Sequence, residues 1–355
     1  MKYRLLGRSG LKVSAITMGT FTFGGQGAFA MTGRQGVPEA QRLIGTCLEG
    51  GINLFDTSNM YSLGLSEEIL GKALDDKRHD VLISSKARMR IGDGPNDEGV
   101  SRFHLIRECE RSLKRLGRDH IDIYYMHEWD GQTPLEEMLS ALDFLVRQGK
   151  VRYIGCSNYS GWHIMKALGV SDLHDYPRFV TQQIHYTLEA REAEYELLPI
   201  SVDQGLGVLI WSPLAAGLLS GAHRRDQPVA PGSRQEKGWT EPPIRDMERL
   251  WTIVDALVKL AEARGVSAAQ MALAWALERP GVTSAVVGGE TEAHFRDNIA
   301  AADLVLTDDE RKVLDDVSAL PMIYPYWHQG QFARDRFSEA DWALHRGNPW
   351  ALASS

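Results

Sequence analysis

Residues 52–86 read INLFDTSNMYSLGLSEEILGKALDDKRHDVLISSK, and this stretch decides the fold. It opens on a short apolar run, INLFDT (52–57), and closes on another, VLISSK (81–86). Between them Ser66, Glu67, Glu68 and Gly71 mark a short helix. Strand, helix and strand in that order form one parallel β/α unit.

The unit recurs in both directions along the chain. Further strand candidates are AITMGT (15–20), IDIYYMH (121–127), VRYIGCS (151–157), FVTQQIH (179–185), GVLIWS (207–212) and TSAVVG (283–288). Helical patterns fall between them. Residues 39–49 carry an apolar stripe at Leu43, Ile44, Cys47 and Leu48. Residues 103–116, 134–146, 192–204 and 267–278 follow suit, with Thr133 as the expected cap before Pro134. Eight strands alternating with helices predict a closed (β/α)8 barrel of the α/β class. An open doubly wound sheet is the alternative. A single domain over 1–355 is expected, its tail (320–355) lying over the catalytic face.

Two segments break the rhythm. A long connection, 217–245, follows the seventh strand and is rich in Gly, Pro and Arg. Long connections of this kind serve as lids or binding loops. An extra helix is expected after it, at 246–264. The tail is dense in aromatics: Tyr324, Tyr326, Trp327, Phe332, Phe337, Trp342 and Trp350. Such a tail covers the barrel wall, a neighbouring subunit or the substrate pocket.

Composition narrows the function. Of 355 residues, 39 are Lys or Arg and 47 are Asp or Glu, a net charge of −8. That disfavours a nucleic-acid binder, which needs a basic face to replace phosphate counterions. No apolar run reaches the ~18 residues needed to cross a bilayer. The start, MKYRLLGRSGLKVSAI, has no secretory apolar segment. Cys47, Cys109 and Cys156 are isolated and odd in number, so neither a disulfide framework nor a zinc knuckle is indicated. A reduced cytoplasmic setting is the expectation. A homo-oligomer is compatible with the composition but not specified by it.

In a barrel of this type chemistry sits at the C-terminal ends of the strands. Those ends carry Asp56, with Tyr61 five residues on, then Lys86, His127, Ser157–Asn158, Gln183 and Trp211–Ser212. An Asp, a Tyr, a Lys and a His converging on one rim make a proton-transfer set without nucleophile or metal. A phenol with pKa near 10 is a poor acid at neutral pH, and a neighbouring ammonium lowers that value. A drop of about three units needs roughly 4 kcal/mol. The aspartate keeps the lysine charged, and the histidine orients a carbonyl oxygen. Other chemistries fail. His127-Glu128 begins a zinc motif, but position 131 is Gly. Neither a nucleophile elbow nor a Walker motif is present. Gly205-x-Gly207 precedes a strand, so it reads as a helix cap rather than a dinucleotide turn.

FDTSNMYSLGLSEEILGKAL, VLISSK, DIYYMHEWD, VRYIGCSNYS, IWSPLAAGLLSG and AVVGG together resemble the aldo-keto reductase superfamily, from about residue 3 to 320. The resemblance implies a (β/α)8 barrel that moves a hydride between a nicotinamide and a carbonyl or alcohol carbon. It implies Tyr61 as general acid/base, Lys86 and Asp56 as its pKa-lowering pair, and His127 as the carbonyl-orienting residue. It places Ser157, Asn158 and Gln183 at the carboxamide and Trp211 on the nicotinamide ring. Ser212, Pro213, Leu214, Gly217 and Leu219 match the pyrophosphate turn. Gly288, Glu290, His294, Asp297 and Asn298 match the adenosine-phosphate segment, and Gly19 and Thr20 the cofactor floor.

Glu290 and His294 stand where relatives often carry Arg, Lys, Ser or Gln. A glutamate repels a 2′-phosphate but accepts from a free ribose hydroxyl. The expected cofactor is therefore NADPH, NADH or both. The segments 88–99 and LPMIYPYWHQG resemble a bacterial subgroup acting on bulky ketones such as 3-keto trichothecenes. Phe23, Met89, Trp129, Trp162 and Tyr326 are the expected substrate-pocket residues. The expected partner is a small carbonyl or alcohol compound, with neither nucleic acid nor membrane. Potassium-channel β subunits share this barrel, so a regulatory or binding role is the rival reading.

Overall fold

In the computed structural model, which describes residues 1–75 and 81–346, a hairpin precedes a closed parallel barrel. The hairpin pairs β1 (Tyr3–Leu5) with β2 (Lys12–Ser14). The barrel strands are β3 (Ile16–Gly19), β4 (Leu54–Asp56), β5 (Leu82–Ala87), β6 (Ile121–Met126), β7 (Val151–Ser157), β8 (Thr181–His185), β9 (Gly207–Trp211) and β10 (Val282–Val287). Each pairs with the next, and β10 returns to β3, with Ala285 opposite Ile16. All eight strands expected from the sequence are present, and the barrel replaces the open-sheet alternative.

Side chains alternate across a strand, so one face of each strand fills the barrel and the other meets the helices. Leu54, Ile123, Tyr125, Leu209 and Val286 form the interior cluster. Leu6 and Val13 from the hairpin join it and are fully buried, which stabilises the barrel floor by about 2 kcal/mol each. Phe55, Ile83, Tyr124, Met126, Val208 and Ile210 belong instead to the core shared with the helices. The same alternation puts Asp56 in line with Leu54, and Ser84 and Lys86 in line with Leu82, all directed into the mouth.

The surrounding helices are α1 (Val37–Glu49), α2 (Leu65–Leu74), α3 (Arg102–Leu116), α4 (Leu135–Arg147), α5 (Gly161–His174), α6 (Leu197–Gln204), α7 (Met247–Arg264), α8 (Ala268–Leu277), α9 (Glu292–Ala300) and α10 (Asp308–Ser318). Helix α7 is the extra helix, capped by Asp246 accepting the Arg249 N–H (3.0 Å). The hairpin, α5, α9 and α10 were not evident from periodicity. In α5 the apolar residues run right round the helix, and α10 has only Val313, Leu314 and Val317 to mark its apolar face.

Two local expectations are corrected. Thr133 does not cap α4: its hydroxyl donates to Asp130 (2.8 Å), and Pro134 holds the cap position. Residues 192–204 are not one helix. A short 3₁₀ turn, Glu192–Glu194, precedes α6, because buried Arg191 holds both oxygens of Glu194 (2.8 and 2.9 Å). Gly205 is the cap read from the sequence, with φ +68°, and a Cβ there would collide with Arg8.

Residues 221–245 contain no helix or strand. The tail forms α11 (Tyr326–Phe332) and α12 (Glu339–His345). Helix α12 packs on α6, Tyr195 donates to the Pro321 carbonyl, and Tyr326 stacks on Tyr195 (5.6 Å). The tail thus flanks the rim at the β8–α6 connection. Trp350 lies outside the described residues. Among the described residues no helix is long and apolar enough to cross a membrane.

Candidate active site

Three strands and one loop bring the expected tetrad together. Lys86 is fully buried, and its ammonium has three donors to satisfy. They go to Asp56 Oδ2 (2.5 Å), the Thr57 carbonyl (2.8 Å) and the Tyr61 hydroxyl (3.4 Å). Asp56 is held from two further sides. Ser84 Oγ donates to its Oδ1 (2.6 Å), and Gln183 Nε2 donates to the same oxygen (3.0 Å). Gln182, one residue earlier, points the opposite way, to the Leu197 carbonyl and Ser201 of α6. Strand alternation alone separates the two glutamines.

Tyr61 starts a tight turn after β4. Ser62 and Leu63 are left-handed there (φ 50° and 57°), an uncommon state for side-chain-bearing residues. The turn is clamped because Ser62 Oγ donates to the Phe23 carbonyl (2.8 Å) and accepts the Gly25 N–H (3.0 Å). The Tyr61 ring stays half-buried while its hydroxyl lies deep among protein atoms. Lys86 donates to that oxygen, which leaves the phenolic proton free for an acceptor in the mouth.

The electrostatics correct one expectation. Burial raises the Tyr61 pKa, and this outweighs the downward pull of Lys86. The resting phenol is therefore a protonated acid. Burial pulls the Lys86 ammonium down, but Asp56 and Tyr61 more than offset it, so its pKa is raised. His127 is pushed well below its ordinary value by burial, then by Lys86 and Arg88. Its Nδ1 lies 3.1 Å from Ser58 Oγ. Ser58 Oγ also accepts the Met60 N–H (3.4 Å). Where the Ser58 hydroxyl donates to Nδ1, the imidazole proton sits on Nε2. The His127 and Tyr61 rings meet edge to face at 5.8 Å.

The other expected residues divide into groups. Asn158 sits left-handed (φ 58°), donates to the His127 carbonyl (3.1 Å) and accepts from Trp211 Nε1 (3.0 Å). Ser157 Oγ donates to the Gln183 carbonyl (2.8 Å). Trp211 is half-buried, its ring against His185 (4.5 Å). Downstream, Ser212, Ala215, Ala216 and Gly217 all have positive φ (48°, 48°, 55° and 95°). The turn closes on itself: the Ala215 N–H donates to the Ser212 carbonyl (2.9 Å), the Ala216 N–H to Ser212 Oγ (3.1 Å) and the Gly217 N–H to the Leu214 carbonyl (2.9 Å). Pro213 and Leu214 lie within this turn, and Gln235 ties it to the long connection by donating to the Ala216 carbonyl (3.2 Å).

Farther out, exposed Gly288, Glu290 and His294 lead into α9, with Asn298 nearly buried. Lys237 donates to Glu290 (3.1 Å), so the glutamate's charge is answered from the long connection. Met89 is half-buried at the end of β5. Trp129 stacks on His163 (3.8 Å), which also touches the exposed Trp162 (3.7 Å).

Five of the expected side chains are taken up within the protein itself. Thr20, Phe23 and Leu219 have no accessible surface and offer no side chain to a ligand. The Thr20 hydroxyl bonds the Asp56 carbonyl (3.1 Å) and Ser66 (2.8 Å), and buried Gly19 only floors the mouth. The Asp297 carboxylate accepts from Ser267 (2.7 Å) and Gln270 (2.7 Å), fastening α8 rather than facing a cofactor. Tyr326 belongs to the Tyr195 stack at the tail.

Residues the sequence reading passed over complete the mouth. Phe21 meets Tyr61 at 5.2 Å, Phe29 at 5.0 Å and Trp239 at 5.5 Å. The Arg234 guanidinium lies over the Phe21 ring (5.3 Å). Phe21 was a strand-end aromatic and could have been found. Trp239 and Arg234 belong to a segment without periodicity, and only folding brings them over the barrel.

The donor set suits an anionic dinucleotide. It combines the half-buried Trp211 indole held by Asn158 with the cations Arg234 and Lys237 from one strap. The family model described as Aldo/keto reductase family matches residues 15–319. The chain is 38% identical over 328 residues to an uncharacterized oxidoreductase, YrpG, of Bacillus subtilis, covering 89% of this chain and 96% of that protein. It is 34% identical to a probable voltage-gated potassium channel subunit beta of Arabidopsis thaliana, over 86% and 92% of the two chains. It is 32% identical to the versiconal hemiacetal acetate reductase of Aspergillus parasiticus, over 92% and 99%.

Proposed function

Since the chain belongs to the aldo/keto reductase family of oxidoreductases, we propose that it reduces aldehydes or ketones with NADPH or NADH, Tyr61 giving the proton. The single observation that carries this reading is the Lys86 ammonium bonded to both Asp56 and the Tyr61 hydroxyl. When bound, a reduced nicotinamide supplies hydride to the carbonyl carbon. Trp211 and Asn158 would hold its ring end, the 212–217 turn its pyrophosphate, and Arg234, Lys237, His294 and Asn298 its adenosine end.

The chain's own work is proton delivery. His127 Nε2–H and the Tyr61 O–H both direct hydrogen bonds at the substrate oxygen as negative charge builds there. Tyr61 then gives its proton to that oxygen, and the adjacent Lys86 ammonium stabilises the phenolate left behind. Asp56, Ser84 and Gln183 hold the lysine. The apolar rings at the mouth exclude water and favour ring or bulky carbonyl compounds, 3-keto mycotoxins among them. The rival reading, a regulatory barrel, is favoured by the relatives named as potassium channel β subunits. An assembled tetrad is compatible with both.

A panel of neutral and charged aldehydes and ketones, assayed with each nucleotide by loss of NAD(P)H absorbance, tests the proposal. Turnover that disappears in Tyr61→Phe supports it. Wild-type protein inert toward the whole panel with both nucleotides overturns it.

A further inference from the structure

Arg88 follows β5, two positions beyond Lys86. The His127 N–H donates to the carbonyl of Ala87 (2.9 Å), so Arg88 and His127 leave neighbouring strands side by side. At about 3.3 Å per residue, Arg88 stands roughly 6–7 Å above Lys86 along the strand, at the entrance. Its backbone has φ +132°, a conformation that side-chain-bearing residues rarely adopt. The Gly99 N–H, donating to the Arg88 carbonyl (2.8 Å), holds it there.

The guanidinium has no ion-pair partner among the described residues. Its polar contact is with the Met89 sulfur (4.0 Å), and its Nε is buried and unbonded. Most nearby acids are engaged elsewhere. Asp97 takes Arg107 (2.7 Å), and Glu98 takes Arg90 (2.7 Å). Asp130 accepts the Val100 N–H (2.9 Å), the Gln132 N–H (2.9 Å) and Thr133 (2.8 Å). Glu128 accepts its neighbour Trp129's N–H (3.1 Å) and feels the Arg88 charge, but forms no ion pair with it. An arginine stays charged at any working pH, and a half-buried unpaired charge is costly unless an outside anion answers it. Met89 lies against it, and Phe21 with Trp239 supplies apolar wall beside Tyr61.

We propose that Arg88 is the substrate-recognising residue of this mouth, and that it selects aldehydes or ketones carrying a carboxylate on an apolar or aromatic body. The planar fork matches a carboxylate with two parallel N–H···O bonds. His127 and Tyr61 receive the carbonyl oxygen, and the carboxylate itself is chemically unchanged. This rests on the carbonyl-reductase reading and adds charge selection to it. The felt charge of Arg88 at His127 agrees with the placement.

The test compares 4-formylbenzoate with its methyl ester and its primary amide, in wild type, Arg88→Met and Arg88→Lys. Wild-type kcat/KM should favour the acid by about ten-fold or more, carried mainly in KM, as a charge-assisted hydrogen bond allows. The acid-to-ester ratio should fall close to one in Arg88→Met and lie between in Arg88→Lys. A wild-type ratio within about two-fold of one overturns the proposal, whether or not the variants fold. So does a ratio that survives in Arg88→Met, since a structural role would lower acid and ester together. If none of the three aldehydes is turned over while other carbonyl compounds of the panel are, this proposal fails and the reductase reading stands; if the whole panel is inert, both fail. If the neutral pair is turned over without acid preference, only the role of Arg88 fails.

Discussion

Replacing Lys86 with Met would strip the one cation from a buried carboxylate. Asp56 is 2% exposed and Lys86 fully buried, and they meet at 2.5 Å. Breaking such a pair by removing one partner costs about 3–5 kcal/mol, because the remaining charge has no water to turn to. Ser84 and Gln183 still donate to Asp56, so the lower half of that range is expected. At roughly 2.1 cal/mol/K per residue, unfolding this chain carries about 0.75 kcal/mol/K, so the loss is about 4–5 °C in Tm. Asp56→Asn combined with Lys86→Met removes both charges of the pair and should recover more than half of the loss. Calorimetry of wild type, the single variant and the double variant is the assay. A single variant melting within about 1 °C of wild type, or a double variant worse than the single, would refute the reasoning. Activity should fall about 10²–10⁴-fold in the single variant, since the phenol loses the partner that makes it an acid.

Three further outcomes are expected. Tyr61→Phe removes only the proton donor, so kcat should drop about 10²–10⁴-fold while NADPH affinity, read by tryptophan fluorescence, changes less than about three-fold. His127 is held neutral with a depressed pKa, so the stability it contributes is present above the ordinary histidine value and lost as pH falls below it. The fall in Tm between pH 7 and pH 5 should accordingly be smaller in His127→Gln, and an identical slope would remove the assignment. Lys237 neutralises Glu290, so Lys237→Met should cut kcat/KM with NADPH relative to NADH by about three- to ten-fold. An unchanged coenzyme ratio would show that the strap does not read the 2′ position.

Much of this protein was legible in one dimension. The eight apolar runs carry the barrel because parallel strands are short, regular and followed by helices. Asp56, Lys86 and His127 announce the mouth because polar side chains ending apolar strands have one place to go. Local pattern was silent about the floor: Leu6 and Val13 look ordinary until a barrel exists for them to close. It did not reveal that Phe23, Thr20 and Leu219 are fully buried, since motif position gives nearness to a site but not which way a side chain turns. The proton affinity of Tyr61 also escaped it. The neighbouring ammonium was visible in the spacing, but the depth of burial that outweighs it is a property of the assembled interior. Trp239, Arg234 and Arg88 lie in stretches without period. Only the tertiary structure decides what stands beside them, because contacts across the barrel mouth are set by closure of the sheet and not by separation along the chain.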